Sequence, residues 1–493
     1  MQFKKYFIIP ISILLLFKLC GCCNSNAQLP NPSQSSNEDI TRAITSPQPS
    51  LDSNCEADQT GVDLNLDKGA TYWDGFPYPK DTEHKYLHGD GMILLPKEQA
   101  LEDYDAMWTI LEENCPVLSE LRKMDFVDID EIKEKYRDKI HSYREDGTIV
   151  QSAFYSVVRD CLGKLQGAGH ISVVTPNLYR LYTITSEVIY EDYKKGLYSE
   201  NVYSQQKRID SILHHPSVED FYKRSESFEL VSASQSMPAE EAQREDVINY
   251  IATKTIEEVP YVQIKTFHAS SFEGDNMIIN ILQNFFEENK DAANIIIDIR
   301  GNGGGSDHIW IEGILNPLLN EEVSVEYAVR VKAGDYNKFI WDDKETPYFS
   351  SNQTTLDALK KKIPNVDAYD FTSLDQFYIY LKEFMPSENI VNYTGKVWVI
   401  VDKHVYSSSD SFAAFCKKTG FATLVGTQTG GNGLGTIPLV APLPNSGLLI
   451  RYECSSGYND DGSCNAIVGT TPDIEIEPNQ DALGVCLDII FNP

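Results

Sequence analysis

The chain is poor in positive charge: 42 Lys plus Arg stand against 73 Asp plus Glu over 493 residues, a formal net charge of −31. Phosphate backbones are held mainly by Lys and Arg, so this deficit argues against nucleic acid as a partner, although it says nothing about fold. Metal-site spacing is also missing. Among the cysteines beyond Cys23 there is no CxxC pair and no Cys/His zinc pattern, and neither a metal nor an organic cofactor is expected. Ten cysteines include Cys20, Cys22 and Cys23; the remaining seven, Cys55, Cys115, Cys161, Cys416, Cys454, Cys464 and Cys486, are an odd set unsuited to a disulfide framework for the whole fold. Cys454 and Cys464 flank the turn-rich Gly457-Tyr-Asn-Asp-Asp-Gly462, where a hairpin-closing disulfide and two free thiols are both open readings. The others read as core thiols. No GxxxxGK[ST] or GxGxxG phosphate loop is present, and no glycine-rich carboxylate-binding loop of the PDZ kind lies between 176 and 255. The N-terminal apolar stretch, Phe7 to Phe17 interrupted by Pro10 and Ser12, is too short to cross a ~30 Å bilayer as a helix.

What is present is a globular composition, 42% apolar and 23% charged, in a length that allows two to four domains at roughly 100–200 residues each. Lys4 and Lys5, the apolar stretch and Leu19-Cys-Gly-Cys22 resemble a bacterial lipoprotein signal over residues 1–22. That resemblance implies lipidation of Cys22; an ordinary secretory signal is the alternative. Either way the protein is expected outside the cytoplasm, as a lipid-anchored protein of the cell envelope facing the periplasm or the cell surface. Residues 23–95, rich in Asn, Ser, Pro, Gln and Asp, read as a tether and N-terminal extension, with order beginning near Pro96. Leu101, Tyr104, Trp108 and Leu111 recur at helical steps up to Glu-Asn-Cys-Pro116. Ile132, Tyr136 and Ile140 mark a second helix after Asp130, and Phe154, Val157, Val158, Cys161, Leu162 and Leu165 a third behind Thr148. A helical domain is therefore expected over 96–175, followed by a linker or cap of uncertain fold over 176–255. From 256 to 493 the pattern changes. Alternation at Val259–Thr266, a helix with Ile278, Ile281, Leu282, Phe285 and Phe286, and the unbroken apolar runs at 294–299 and 396–402 point to buried strands alternating with helices, an α/β core.

Two loops of that core carry chemistry. Arg300-Gly-Asn-Gly-Gly-Gly-Ser306 follows the first buried run, and three consecutive glycines at a strand-to-helix junction free backbone N–H groups to face a developing anion; a plain turn is the alternative. His404-Val-Tyr-Ser-Ser-Ser-Asp410 follows the second. A hydroxyl just past a buried strand and before a helix suits a nucleophile, whereas the same serines would also serve as helix N-caps.

In order, Ile297-Asp-Ile-Arg-Gly-Asn-Gly-Gly-Gly305, Ser407-Ser-Ser-Asp410, Val425-Gly-Thr-Gln-Thr-Gly-Gly431 and Gly469-Thr-Thr-Pro-Asp473 resemble the tail-specific, or C-terminal-processing, serine peptidase family, which also holds tricorn protease and the interphotoreceptor retinoid-binding proteins. The resemblance implies a crotonase/ClpP-like α/β core behind an N-terminal helical domain, and an enzyme hydrolysing peptide or protein substrates. It places Ser407 on the nucleophile, Gly304 or Gly305 with the Ser408 N–H on the oxyanion hole, and Ser409, Asp410 and Thr429 among the supports. The base lysine of the processing branch is replaced by Asn432, which cannot accept a proton, so no Ser/Lys dyad is expected. The tricorn-like branch uses a histidine from the upstream domain, and His170 in Gly167-Ala-Gly-His-Ile-Ser172 matches that position; its ordinary pKa near ~6.5 suits a general base. A core histidine is the plain alternative. The glutamate expected a few residues before the last motif is replaced by Asn465 or Ala466, leaving Asp460, Asp461 or Glu453 to orient the imidazole. Two functions follow: a serine endopeptidase, or a catalytically inactive relative that binds peptides or another ligand as a lipoprotein. A helical glycan-binding lipoprotein is disfavoured by the buried strand runs and the triple glycine.

Overall fold

The structure, a computed structural model, describes residues 87–89, 92–124, 127–184, 208–225, 249–269, 272–340, 353–366, 371–387, 391–436, 438–477 and 479–492. The signal expected at 1–22, with Cys22, and nearly all of the tether expected to residue 95 lie outside them. Described structure begins nine residues ahead of Pro96, with strands β1 (Leu87–Gly89) and β2 (Met92–Pro96). Three helices follow, α1 (Lys97–Asn114), α2 (Pro116–Leu121) and α3 (Ile129–His141). Cys115 breaks the first from the second because Pro116 at N1 cannot donate to the preceding turn. The N-cap of α3 is Asp128, whose carboxylate accepts from Glu131 N at 2.9 Å. Thr148 starts a short strand, β3 (Thr148–Val150), which pairs with β2, and the helix expected behind it, α4 (Gln151–Leu162), begins next. Two single 3₁₀ turns, Gly163–Leu165 and Ala168–His170, lead into β4 (Ser172–Val173). Of the segment expected as a linker or cap, α5 (Pro216–Ser225) is helical; its Tyr222 hydroxyl donates to Val174 O at 2.8 Å.

The remainder is a mixed α/β core. It contains β5 (Ile251–Ile256), β6 (Val259–Ile264), α6 (Phe272–Glu288), β7 (Asn294–Asp298), α7 (Asp307–Trp310), β8 (Val323–Lys332), β9 (Gln353–Thr354), β10 (Asp375–Phe384), β11 (Lys396–Val401), α8 (Ser408–Thr419), β12 (Thr423–Gly426), β13 (Leu439–Pro442), β14 (Leu449–Tyr452), β15 (Ser455–Gly457), β16 (Ile474–Glu475) and α9 (Ala482–Phe491). The central sheet has the order β16-β12-β11-β7-β6-β5, parallel except for the β5–β6 edge. Its apolar runs are unbroken because both faces are covered. Ile295, Ile297, Val399 and Val401 pack with Ile278, Leu282 and Phe286 of α6 and with Phe412 and Phe415 of α8. The alternate residues Ile296, Trp398, Ile400 and Val425 pack with Ala482, Cys486 and Leu487 of α9.

Two antiparallel sheets tie the helical region to this core. In the order β15-β8-β10-β9, β8 carries the wholly buried Arg330, which reaches Glu120 Oε1 of α2 at 3.0 Å and Asp375 Oδ1 of β10 at 2.6 Å. Removing one partner of such a buried pair typically costs about 3–5 kcal/mol. In the order β13-β14-β4, Arg451 of β14 stands opposite Ser172 of β4. That short pairing fixes where the turn ending at His170 meets the core.

Candidate active site

Ser407 sits between β11 and α8 with φ 57° and ψ −127°, a region sparsely populated by residues with a Cβ. The surroundings enforce it. Ser407 N donates to Gly431 O at 2.9 Å and Tyr406 N to Asn302 O at 3.1 Å. The Ser409 hydroxyl lies 2.5 Å from Asn302 O and 2.8 Å from Tyr406 O. A methyl group on Gly304 would lie 2.7 Å from Tyr406 O and 2.8 Å from Ser407 Cβ, so only glycine, here at φ +105°, lets the loop after β7 approach the serine this closely. The serine is thus held at a strand-to-helix elbow with the first turn of α8 behind it.

His170 arrives on a turn of consecutive left-handed residues, Gly169 at φ 60° and His170 at φ 53°. Gly169 has no room for a side chain, because a Cβ there would meet Val117 at 2.9 Å. Its N–H donates to Asn432 Oδ1 at 2.7 Å and its carbonyl accepts from Glu453 N at 2.7 Å. The imidazole is thereby placed with Nε2 3.0 Å from Ser407 Oγ and Nδ1 2.7 Å from Glu453 Oε1. Tyr406 packs edge-on to the ring at 4.9 Å between centroids, and its hydroxyl donates to Gly167 O at 2.6 Å. His170 is 5% exposed and Glu453 0%. Burial, aided by the nearby Arg451 charge, holds the imidazole well below its ordinary value; burial pushes the Glu453 carboxyl well above its own, against the pull of Arg451. Gly435 makes room for the carboxylate, since a Cβ there would lie 2.6 Å from Glu453 Oε2.

The structure therefore brings Ser407 and His170 together and selects Glu453 from the three acids left open by the sequence. Asp460 instead pairs with Lys418, and Asp461 accepts from the Ser463 hydroxyl at 2.6 Å. Of the two glycines offered for the oxyanion, Gly304 already donates its N–H to Asn302 Oδ1 at 2.9 Å, which leaves Gly305. Ser408 is the first residue of α8, so its N–H has no acceptor within the helix. Asp410 accepts from the Thr429 hydroxyl at 2.5 Å and from Gly433 N at 2.9 Å, and Thr429 Oγ1 accepts from Thr470 N at 2.6 Å. These residues fix the loop that carries Asn432. Asn465, at the position expected for an acid, holds that loop too, accepting from Gly433 N at 2.9 Å and Leu434 N at 3.1 Å. Cys454 and Cys464 are free buried thiols: the first lies 3.3 Å from Thr436 Oγ1, the second 3.7 Å from Ser456 Oγ.

Residues 258–476 match the model of peptidase family S41. No curated protein matches the chain. Among solved structures, a Parabacteroides merdae protein described as a candidate peptidase is 17% identical, with 79% of this chain and 96% of that chain covered and a TM-score of 0.45. Mature CPAF complexed with lactacystin is 14% identical over 77% of this chain and 94% of its own, TM-score 0.47. The photosystem II D1 C-terminal processing protease is 13% identical over 79% and 96%, TM-score 0.35.

Proposed function

From the premise that residues 258–476 belong to peptidase family S41, and the chain is accordingly a serine peptidase, we propose that it is an exported endopeptidase that cleaves peptide bonds at Ser407. The observation that carries this reading is the unbroken line Ser407 Oγ, His170 Nε2, His170 Nδ1, Glu453 Oε1, with separations of 3.0 and 2.7 Å. With Glu453 accepting from Nδ1–H, Nε2 turns its lone pair towards the hydroxyl. Ser407 Oγ attacks the scissile carbonyl while Nε2 takes its proton; the N–H groups of Gly305 and Ser408 face the oxyanion. The proton then passes to the leaving amine, and water, deprotonated by the same nitrogen, hydrolyses the acyl-serine ester. Glu453 keeps the imidazole in the right tautomer without taking part in bond making. A neutral buried base suits this role, because a protonated His170 has no lone pair to offer.

Asn432, standing where the processing branch has its lysine, is part of the same design: it holds the turn that delivers His170. That supports catalysis over the binding-only reading. The proposal extends, on the sequence grounds of residues 1–22, to a cell-envelope protein anchored by lipid on Cys22, acting on peptides or unfolded proteins. The test of the chemistry is Ser407→Ala in the purified protein with unfolded casein and a fluorophosphonate probe. Wild type should label and cleave, and the variant should lose both, with turnover down by about 10⁵–10⁶-fold; equal cleavage by the two proteins would sink the assignment.

A further inference from the structure

One charged group beside the catalytic line is not used by it. Arg451 belongs to β14, opposite Ser172 and two residues before Glu453. Side chains two apart on an extended chain leave it on the same side, so Arg451 and Glu453 project together towards the turn that bears His170. Its positive charge is felt at His170, Glu453 and Tyr406. Yet among the described residues Arg451 makes no ion pair and no side-chain hydrogen bond, and its Nε is buried without an acceptor. Six other described arginines behave differently: Arg122, Arg137, Arg144, Arg159, Arg300 and Arg330 each face a carboxylate. In a chain with 73 Asp plus Glu, a partly buried guanidinium with no carboxylate within ion-pair distance is unusual, because desolvating an unpaired cation is costly. The cost is offset if the anion comes with the substrate.

We propose that Arg451 is a specificity-determining residue that receives a carboxylate of the bound peptide next to the scissile bond. The planar guanidinium fork matches a carboxylate in two-point geometry, which a backbone carbonyl or amide does not exploit equally. A peptide offers that group from two sources, an Asp or Glu side chain flanking the cleaved bond or the α-carboxylate of a nearby chain end. The inference rests on the peptidase reading above.

Matched fluorogenic peptides test it: Asp against Asn, or Glu against Gln, at each position flanking the cleaved bond, and free against amidated C-termini one to three residues away. In wild type one carboxylate position should raise kcat/KM at least tenfold over its amide twin. Arg451→Gln should bring that ratio to within about twofold, and Arg451→Lys should keep part of it. The ratio within each enzyme is the readout, so a change in absolute rate from altered charge near His170 cancels. The arm that responds identifies the source of the carboxylate. Ratios near one throughout in wild type, or a ratio that survives Arg451→Gln, overturn the proposal. The same pairs measured by fluorescence anisotropy on Ser407→Ala and on Ser407→Ala with Arg451→Gln read the preference without turnover. Wild type that neither labels nor cleaves would overturn the peptidase reading alone if the binding preference still depended on Arg451.

Discussion

His170 is buried against Tyr406 and Glu453, and that placement has a direct consequence for acidity. Its folded pKa lies well below the ordinary 6.5 because burial penalises the charged ring. As the proposed base, His170 works only when neutral, so catalysis should be intact above the folded value and lost as pH falls through it. The acid limb of kcat/KM on a neutral peptide should therefore have its midpoint below pH 6.5. A stability effect follows with the same sign. The unfolded chain takes up this proton at about pH 6.5 and the folded one resists it, so the contribution is whole above that pH and is lost on descending to the folded pKa. A midpoint at or above pH 7, measured where the protein remains folded by near-ultraviolet circular dichroism, would contradict the buried neutral base. At this scale the sequence marked Ser407 and His170 as candidates, because each lies in a glycine- or serine-marked segment. It did not single out Glu453, which stands in the plain run Arg451-Tyr-Glu-Cys454 without any marker of its own. The two-residue pairing of β14 with β4, with the Glu453 N–H donating to Gly169 O, brings it to the imidazole.

Elements decide why those residues meet. The loop from Thr429 to Gly433 is tied to α8 by Asp410 and to the following segment by Thr470 and Asn465. Its far end, Asn432 at φ 64°, accepts from Gly169 N. Restoring the lysine of the processing branch at this position should therefore not restore a dyad. Lysine offers no acceptor to Gly169 N–H and tolerates a left-handed φ less well than asparagine, so the turn bearing His170 loses its support. Asn432→Lys should cut kcat/KM about 10- to 100-fold, in line with a lost buried hydrogen bond worth about 1–3 kcal/mol, whereas higher activity that survives a second change, His170→Ala, would show lysine acting as base and refute this account. The unbroken runs at 294–299 and 396–402 did announce buried strands, since a strand covered on both faces has no reason to alternate. The short β3 left no such mark: three residues are too few for any period, and the helix expected behind Thr148 begins directly after them. The cysteines at 454 and 464 stayed an open pair in the sequence because of their hydrophilic turn; in the structure the intervening β15 pairs with β8 and each thiol is free and buried beside a hydroxyl.

For the whole molecule, charge and attachment matter more than packing. A net charge of −31 repels acidic peptides at long range, within the limit set by salt screening, so any preference for a carboxylate has to be local, as Arg451 would make it. Among the described residues no helix is long and apolar enough to cross a membrane, and the proposed attachment rests on Cys22. Cys22→Ala should move the full-length protein from the membrane fraction to the soluble one, with incorporation of labelled palmitate lost and peptide cleavage retained; labelling that persists in the variant would remove the anchor from the proposal. Acidity itself had no explanation in the sequence and acquires none from the site, whose groups are Ser, His, one Glu and backbone N–H. The separation of the catalytic partners along the chain has another consequence. His170 and Ser407 are 237 positions apart, and His170 and Glu453 are 283 apart. A polypeptide emerging N-terminus first thus presents its base long before its nucleophile and its orienting acid, and contacts this distant form late. Peptidase activity is in effect a completion signal: a partly synthesised or truncated chain carries no blade, and neighbouring proteins are spared until the last strands have closed.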